Sequence, residues 1–235
     1  MSKKLLFNEN TPYIEYGSDM VFEVFVENTG RTINLPVASY SGTSYYLLDC
    51  TVDWGDGTSN TYRGSRPSHN YSSTGSYIVR CSGVIPALNS HKMVSSQSDW
   101  TKLNVLNWGD TGLRSLFNMS RCLYIQEVAP LTTGNMELLT DVSQMFTTGS
   151  LANTGAVLKT IPDDMFRNAK NITNFNNCFA SCLNLTGKTP TDEDGGELWE
   201  RPGKVGYPNT ITSSKCFYEC RGLSNFSDIP NDWIN

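Results

Sequence analysis

A segment near the middle of the chain recurs close to its C-terminal end, and this internal repetition most constrains the fold. Residues 116–123 read LFNMSRCL and lead to Pro130, and residues 216–223 read CFYECRGL and lead to Pro230. Phenylalanine, leucine and proline keep the same register in both copies. Repetition at periods of about 20 to 50 residues indicates stacked units, because one unit cannot bury its apolar face alone. The chain is therefore predicted to contain a solenoid, an architecture that usually binds other molecules.

Two further copies of the unit lie between the first and the last, and they explain several of the seven cysteines. Cys178 and Cys216 stand where other copies have Met145 and Leu116, which are apolar core residues. Small buried thiols suit such positions, so we predict free, buried cysteines. The Cys-x-x-x-Cys spacing leaves disulfides or a metal site as the alternative. No metal or cofactor is predicted, since the two histidines lie far from these pairs in sequence.

The first part of the chain has the composition of β-strands separated by tight turns. Residues 21–26, VFEVFV, and 45–54, YYLLDCTVDW, mix β-branched and aromatic residues. The second run leads to Asp56-Gly57, a dipeptide that favours a tight turn because glycine accepts a positive φ. We predict Asp53 and Asp56 to be turn residues rather than calcium ligands or a catalytic pair, since turn aspartates bond to their own backbone.

Three segments of this part follow in order: 52–58 (VDWGDGT), 69–71 (HNY) and 75–79 (GSYIV). They resemble the polycystic-kidney-disease (PKD) type of immunoglobulin-like β-sandwich, which carries a W-x-F-G-D-G strand and turn and a later H-x-Y…G-x-Y-x-V strand. Trp54 occupies a position where many members of that family have phenylalanine. We predict that His69 packs and hydrogen-bonds at the edge of the sandwich, since no nucleophile motif accompanies it.

The repeated unit has the pattern (Cys/Met/Leu)-Phe-x-x-(Cys/Ser)-x-x-Leu followed by proline, and residues 105–110, VLNWGD, precede the repeats. This order resembles BspA-like leucine-rich-repeat surface proteins of Bacteroidetes-type bacteria and their phages, in which a PKD-like domain and a Trp-Gly linker come first. The resemblance implies a mixed fold, with an N-terminal all-β immunoglobulin-like sandwich and a C-terminal α/β leucine-rich-repeat-like solenoid. The expected organisation is an anchor segment over 1–17, the sandwich and linker over 18–97, and the solenoid over 98–235 with an insertion near 190–210.

The insertion near 190–210 contains candidate binding residues. Tryptophan, arginine and tyrosine are enriched at interface hot spots, and this segment contains Trp199, Arg201 and Tyr207. The alternative is a solvated loop without a binding role, because an acidic run and glycines favour exposure to water.

Residues 1–17 are predicted to anchor the chain to other virion or surface proteins, because a terminal segment can become ordered when it docks. The candidate contacts are Tyr13, Ile14 and Tyr16. The apolar start of the segment, Leu5–Phe7, is shorter than the ~7–15-residue core of a signal peptide, so we expect no secretion signal.

Enzymatic activity is not predicted, and no catalytic residue is assigned. The chain has no G-x-S-x-G, H-E-x-x-H, P-loop or dinucleotide-binding motif, and two histidines leave little scope for histidine-based catalysis. A mild net charge of −5 without a Lys/Arg cluster argues against nucleic acid as a partner. No apolar run approaches the ~20 residues of a membrane span.

We therefore expect a non-enzymatic surface-binding or structural protein. The family resemblance and the expected lack of a signal favour a phage virion component, such as a head fibre, a decoration protein or a tail adhesin, made in the host cytoplasm and located on the virion surface. Its repeat domain is expected to bind a host-surface protein or glycan, and a homo-oligomer is left open. The alternatives are a bacterial cell-surface adhesin of the BspA-like type and a carbohydrate-binding module.

Overall fold

The computed structural model describes residues 5–8, 11–14, 18–30, 32–41, 45–90, 101–120, 123–147 and 158–235. Strand residues account for 31% and helical residues for 7%, so the fold is all-β. The strands are β1 (Leu5–Asn8), β2 (Thr11–Ile14), β3 (Met20–Val26), β4 (Thr32–Asn34), β5 (Val37–Ala38), β6 (Tyr40–Ser41), β7 (Tyr45–Tyr46), β8 (Asp49–Asp53), β9 (Ser59–Arg63), β10 (Ser68–Asn70), β11 (Gly75–Val84), β12 (Ala87–Leu88), β13 (Thr101–Asn107) and β14 (Leu123–Tyr124). The described residues also form one α-helix, α1 (Asn231–Ile234), and 3-10 turns at Leu131–Thr133, Leu198–Glu200 and Phe226–Asp228. No helix in this part of the chain has the length and apolar character needed to cross a membrane.

A six-stranded sheet in the order β14-β13-β3-β11-β8-β9 organises the N-terminal half. Neighbouring strands are antiparallel, except that β13 and β14 run parallel. The residues of β3 are almost all buried, as expected for a short apolar run inside a sheet. The runs predicted as strands form β3, β7 and β8, so these predictions are confirmed. Two smaller sheets, β4–β10 and β5–β12, add Ile33 and Val37 to the same core.

The prediction of a C-terminal α/β solenoid is wrong. Among the described residues from 101 onward the α-helix is limited to the four residues of α1, and the repeat units consist of turns and single-residue bridges. Each unit contains a non-glycine residue with φ between 54° and 58°, and these residues are Asn118, Gln144, Asn177 and Lys215. The left-handed region is incompatible with a right-handed helix of L-residues. A helix therefore cannot run through these positions, and the described residues of each unit form turns, bridges and short 3-10 segments instead.

The repeat units nevertheless stack, through a ladder of parallel backbone contacts. Single-residue bridges connect, in order along the stack, Ser115, Asp141, Asn174 and Thr212. N–H groups of one unit donate to carbonyls of the next, as from Phe175 to Thr212 at 2.7 Å. The first three bridging residues also accept, with a side-chain oxygen, the N–H group two residues later, at 3.1, 2.9 and 3.1 Å. Because these local turns fix the start of each unit, they set the register.

The bridges correct the register that sequence similarity indicates for the first unit. Counted from the bridging residue, Met119 and not Leu116 is the counterpart of Cys178. Leu116 and Met119 are both fully buried, whereas Phe117 is 36% exposed. The alignment of Phe117 with the core phenylalanines of the later units is therefore wrong. Leu116-Phe117 directly follows its bridging residue, whereas Cys216-Phe217 begins four residues after its own. The bridging turn sets the register, but its residue type varies from unit to unit, so sequence similarity does not identify it.

One hydrophobic core runs from the sheet to the last repeat unit. The boundary predicted between residues 97 and 98 lies outside the described residues, and the segment after it forms β13, which pairs with β3. In the repeats, the rings of Phe146, Phe179, Phe217 and Trp233 form a column, with successive centroids 5.2, 5.3 and 6.2 Å apart. The carbonyl of Trp233, in α1, accepts the N–H of Phe217 at 2.9 Å. Helix α1 therefore covers the last unit.

The described cysteines are free and buried, as the sequence predicts. They are Cys50, Cys81, Cys178, Cys182, Cys216 and Cys220. The thiols of Cys182 and Cys220 donate to the carbonyls of Phe146 and Phe179, at 3.4 and 3.0 Å. Burial raises the pKa of both thiols well above the ordinary value. Cys122 lies outside the described residues.

We expect the folded protein to react with a small thiol reagent at no more than one cysteine. Six of its seven thiols are buried, and a buried thiol offers no accessible thiolate. Titration with dithionitrobenzoate at pH 8 should release at most one equivalent from the native chain and seven equivalents in guanidinium chloride. Two or more rapid equivalents from native protein would contradict the burial of these cysteines.

Candidate functional site

The insertion near 190–210 is held to the repeat units by a buried arginine. The side chain of Arg201 is fully buried. One terminal nitrogen (Nη2) donates to the carbonyl of Phe166 at 2.8 Å, and the other (Nη1) donates to that of Ala169 at 3.3 Å. The guanidinium also lies over the rings of Tyr207 and Phe175, at 5.1 and 5.8 Å from their centroids. Carbonyl dipoles and aromatic faces thus take the place of a carboxylate partner.

Arg201 makes no ion pair with any described residue, and its pKa is low for an arginine. Burial lowers the pKa of the guanidinium to about 10. The Nε–H group has no hydrogen-bond partner in the described part of the chain. Burying an unpaired charge of this kind costs free energy unless hydrogen bonds compensate it. The conformation of segment 166–169 that directs two carbonyls at Arg201 is therefore favoured over conformations that lose these bonds.

A second buried charge, Asp192, organises the start of the insertion. Its carboxylate accepts the N–H groups of Asp194 and Gly196 at 3.0 and 2.8 Å, and an ion pair with Lys204 at 2.9 Å closes the loop. Burial tends to raise the pKa of Asp192, but the bonds from Lys204 and Gly196 outweigh burial and hold it below the ordinary value. The insertion is thus a packed loop with its own polar centre.

The three predicted binding residues do not form one exposed patch. Arg201 and Tyr207 lie together, whereas Trp199 packs edge-on against Trp233, with ring centroids 6.3 Å apart. Trp199 and Tyr207 are half-buried. The buried hydroxyl of Tyr207 has no hydrogen-bond partner among the described residues. In this arrangement the three side chains join the insertion to the repeats.

The predicted anchor residues lie partly in an N-terminal hairpin. Strand β2 contains Tyr13 and Ile14, which pair with Leu6 and Leu5 of β1. The hairpin forms a two-stranded sheet of its own. Tyr16 lies outside the described residues.

A polar cleft of about 410 Å³ opens beside the insertion. It is lined by Gly134, Asn135, Met136, Glu137, Asn168, Lys170, Asn171 and Gly206. The first four follow the 3-10 turn at Leu131–Thr133, Asn168 lies within the segment held by Arg201 with Lys170 and Asn171 directly after it, and Gly206 belongs to the insertion. Two neighbouring repeat units and the insertion therefore build the cleft together.

Hydrogen bonds inside the cleft fix two of its three asparagines. The side-chain oxygen of Asn135 accepts the N–H of Glu137 at 3.1 Å. The amide nitrogen of Asn171 donates to the carbonyl of Glu137 at 2.8 Å. Neither the side chain of Asn168 nor the carboxylate of Glu137 bonds to any described residue. The cleft therefore presents amide donors, amide acceptors and one carboxylate to the solvent.

The cationic group of the cleft is already paired. Lys170 forms an ion pair with Glu193 of the insertion, and both side chains are nearly half exposed. The hydrogen bond that Lys170 donates to Glu193 raises the pKa of Lys170 above its ordinary value. The pair contributes little net charge to the cleft.

None of the cleft residues was predicted from the sequence, although a signal exists. Asn135 and Asn168 are separated by as many residues as the bridge partners Asp141 and Asn174. They occupy equivalent positions in adjacent units. Exposed polar residues that recur at the same position of stacked units indicate a surface that the units form together. The recurrence is found when the units are aligned by their bridging residues.

The turn between β8 and β9 is the other polar cluster singled out in the sequence. Asp53 accepts the N–H of Gly55 at 2.9 Å, and Asp56 accepts the N–H of Thr58 at 3.0 Å, which confirms their roles in the turn. His69 bonds to the second oxygen of Asp56 at 2.7 Å, and its ring stacks on Trp54. The predicted packing role of His69 is confirmed.

Ionised Asp56 is expected to stabilise the fold in a pH-dependent way. Burial raises its pKa, but hydrogen bonds from Thr58 and His69 outweigh burial and lower the pKa to about 2. A folded-state pKa below the unfolded value of about 4 gives a contribution that is present above pH 4 and is lost as the pH falls through 2. Urea unfolding should therefore show Asp56→Asn to be less stable than wild type at pH 6, with the difference disappearing towards pH 2.

Two threonine variants control this measurement. Thr58→Val removes the hydroxyl that donates to Asp56 at 2.6 Å, so its deficit should also shrink at low pH. Thr210→Val changes an exposed residue elsewhere and should show no such trend. An Asp56→Asn deficit that stays constant from pH 6 to pH 2 would contradict the assigned contacts.

The described residues contain no group of three or more His, Cys, Asp or Glu side chains that could hold a metal ion. Comparisons of the chain with protein-family models, with curated proteins and with solved structures gave no match. A functional assignment therefore depends on the residues of this chain, and the polar cleft is a candidate site among the described residues.

Proposed function

We propose that this chain is a non-enzymatic binding and structural protein of a phage virion, located on the virion surface. The N-terminal hairpin would attach it to the particle, and the repeats would present the cleft to a host surface. The observation that carries the proposal is the single core from the β3 sheet to Trp233. A continuous core holds the cleft at a fixed position relative to the β3 sheet, which the N-terminal hairpin precedes in the chain.

The N-terminal hairpin supports an attachment role. β1 and β2 pair with each other and with no other described strand. An isolated two-stranded hairpin is marginally stable in water, and its open edges can add to the sheet of a partner. Docking on another virion protein would satisfy both edges of the hairpin.

Mass photometry of the full-length chain tests this attachment role. We expect a defined oligomer, or binding to a larger particle, that is lost when residues 2–17 are deleted. A chain in which residues 2–17 are scrambled controls for length and composition, and it should behave like the deletion. Stable monomers in all three proteins would contradict the virion proposal and favour a bacterial cell-surface adhesin of the BspA-like type.

A carbohydrate-binding module is the second candidate, and the cleft favours it. The cleft is lined mainly by polar residues, with three asparagines among them. Binding sites achieve specificity through a small number of placed polar groups of this kind. This function is compatible with either location, since a virion protein and a cell-surface protein can both bind glycans.

A further inference from the structure

The cleft offers hydrogen-bonding groups that the protein itself does not use. The amide NH₂ of Asn135, the whole side-chain amide of Asn168 and the side-chain oxygen of Asn171 have no partner among the described residues. An amide both donates and accepts hydrogen bonds. The three residues line one cleft, so a ligand that enters it meets donors and acceptors together.

These groups are held in place before a ligand arrives. Asn135 and Asn171 are fixed on either side of Glu137 by hydrogen bonds to its backbone. The segment that carries Asn168 is fixed because Arg201 donates to the carbonyl of its neighbour Ala169. A preorganised site spends little free energy on ordering its side chains when it binds.

The charges of the cleft disfavour some classes of ligand. An anion would meet the carboxylate of Glu137, which has no partner among the described residues, and the ammonium of Lys170 is already paired with Glu193. A cation would find one carboxylate, that of Glu137, beside the ammonium of Lys170. An apolar ligand would find Met136, whose side chain is itself buried. The three amides match a neutral ligand rich in hydroxyl groups, because each hydroxyl can both donate and accept.

We infer that the cleft between residues 134–137 and 168–171 binds a neutral saccharide. This inference rests on the proposed surface-binding function and names its ligand class. The volume of about 410 Å³ lies within the ~300–1,000 Å³ typical of small-molecule sites. Asn168 is the principal contact, and Arg201 is a positioning residue that acts through Ala169.

Nuclear magnetic resonance of the ¹⁵N-labelled full-length chain tests the inference. The neutral probes are glucose, galactose, mannose and N-acetylglucosamine, and the charged probes are glucuronate, glucosamine and inorganic phosphate. We expect at least one neutral sugar to give saturable shifts in the side-chain NH₂ signals of Asn135 and Asn168. Asn168→Ala should weaken that binding about tenfold, the loss expected for one or two hydrogen bonds.

Asn28→Ala is the matched control, because Asn28 is an exposed asparagine outside the repeats. It should bind the same sugar with unchanged affinity. Asn168 is also exposed, so Asn168→Ala should keep the melting temperature of wild type, and Asn168→Gln should recover part of the affinity. The inference is overturned if no neutral probe gives saturable shifts, if Asn168→Ala binds as tightly as wild type, or if a charged probe binds more tightly than every neutral one.

The two proposals fail separately. Oligomerisation that depends on residues 2–17, together with no sugar binding, would remove the saccharide inference alone. Sugar binding by a chain that stays monomeric would remove the virion proposal and leave the carbohydrate-binding function.

Discussion

Replacing Phe179 by alanine is expected to lower the free energy of unfolding by about 3–5 kcal/mol. Phe179 is fully buried at the centre of the aromatic column, with the rings of Phe146 and Phe217 at 5.2 and 5.3 Å. The substitution removes buried apolar area, leaves a cavity and breaks two stacked pairs. Guanidinium unfolding followed by circular dichroism and tryptophan fluorescence measures the change.

Phe117→Ala is the control for Phe179→Ala, because similarity of sequence aligns both phenylalanines. Phe117 is 36% exposed in the structure, so its replacement should change the free energy of unfolding by about 0.5 kcal/mol or less. Equal effects of the two substitutions would support the register derived from sequence and contradict the register set by the bridges.

Arg201→Ala is expected to cost about 2–4 kcal/mol of stability. The substitution removes the donors to the carbonyls of Phe166 and Ala169 and leaves a cavity between the insertion and the repeats. Arg201→Met has a similar volume but no donor, so its cost isolates the hydrogen bonds from the packing. Limited proteolysis should also show faster cleavage within 190–210 in both variants.

Arg221→Ala is the matched control, because Arg221 is an exposed arginine of the same repeat array. It should leave stability within about 0.5 kcal/mol of wild type. If Arg201 were an exposed binding residue, as its residue type indicated, Arg201→Ala would resemble this control. A neutral effect of Arg201→Ala would therefore contradict the buried position of the guanidinium.

The sequence predicts the strand content of the first half well, because its signals are local. β-branched and aromatic residues identify β3, and Asp-Gly identifies the turn after β8. The buried thiols are also predictable, since Cys178 aligns with the core residue Met145 both by sequence similarity and by the bridging residues. In each case a few neighbouring residues carry the information.

The stacking of the second half could not be predicted in the same way. The bridging residues Ser115, Asp141, Asn174 and Thr212 share the ability to turn the backbone, but they do not share a residue type. Two of the four left-handed residues, Asn118 and Asn177, are of a type that favours this region, but Gln144 and Lys215 are not, so residue type does not identify the position in every unit. Similarity of the more visible phenylalanines consequently gave a shifted first unit, and the family resemblance gave the expectation of helices.

The candidate site was missed for a related reason. Trp199, Arg201 and Tyr207 are of types that occur at interfaces, but residue type alone does not decide burial. The insertion turns Arg201 inward because two carbonyls and two aromatic rings receive it there. The cleft residues are of types that are common on protein surfaces, and their proximity in space becomes apparent only when adjacent units are aligned by their bridges.

The ladder of bridges distinguishes residues that stacking requires from exposed segments whose length can vary. Contacts outside the bridging turns, such as the bond from Leu131 to Met165 and the bridge between Gly187 and Leu223, also join neighbouring units. The exposed chain between these contacts can lengthen outward at small entropic cost. Loops of different length and ligand preference could thus be exchanged on one stack. The segment 190–210 obeys a stricter condition, because any replacement has to bring a donor to the carbonyls of Phe166 and Ala169.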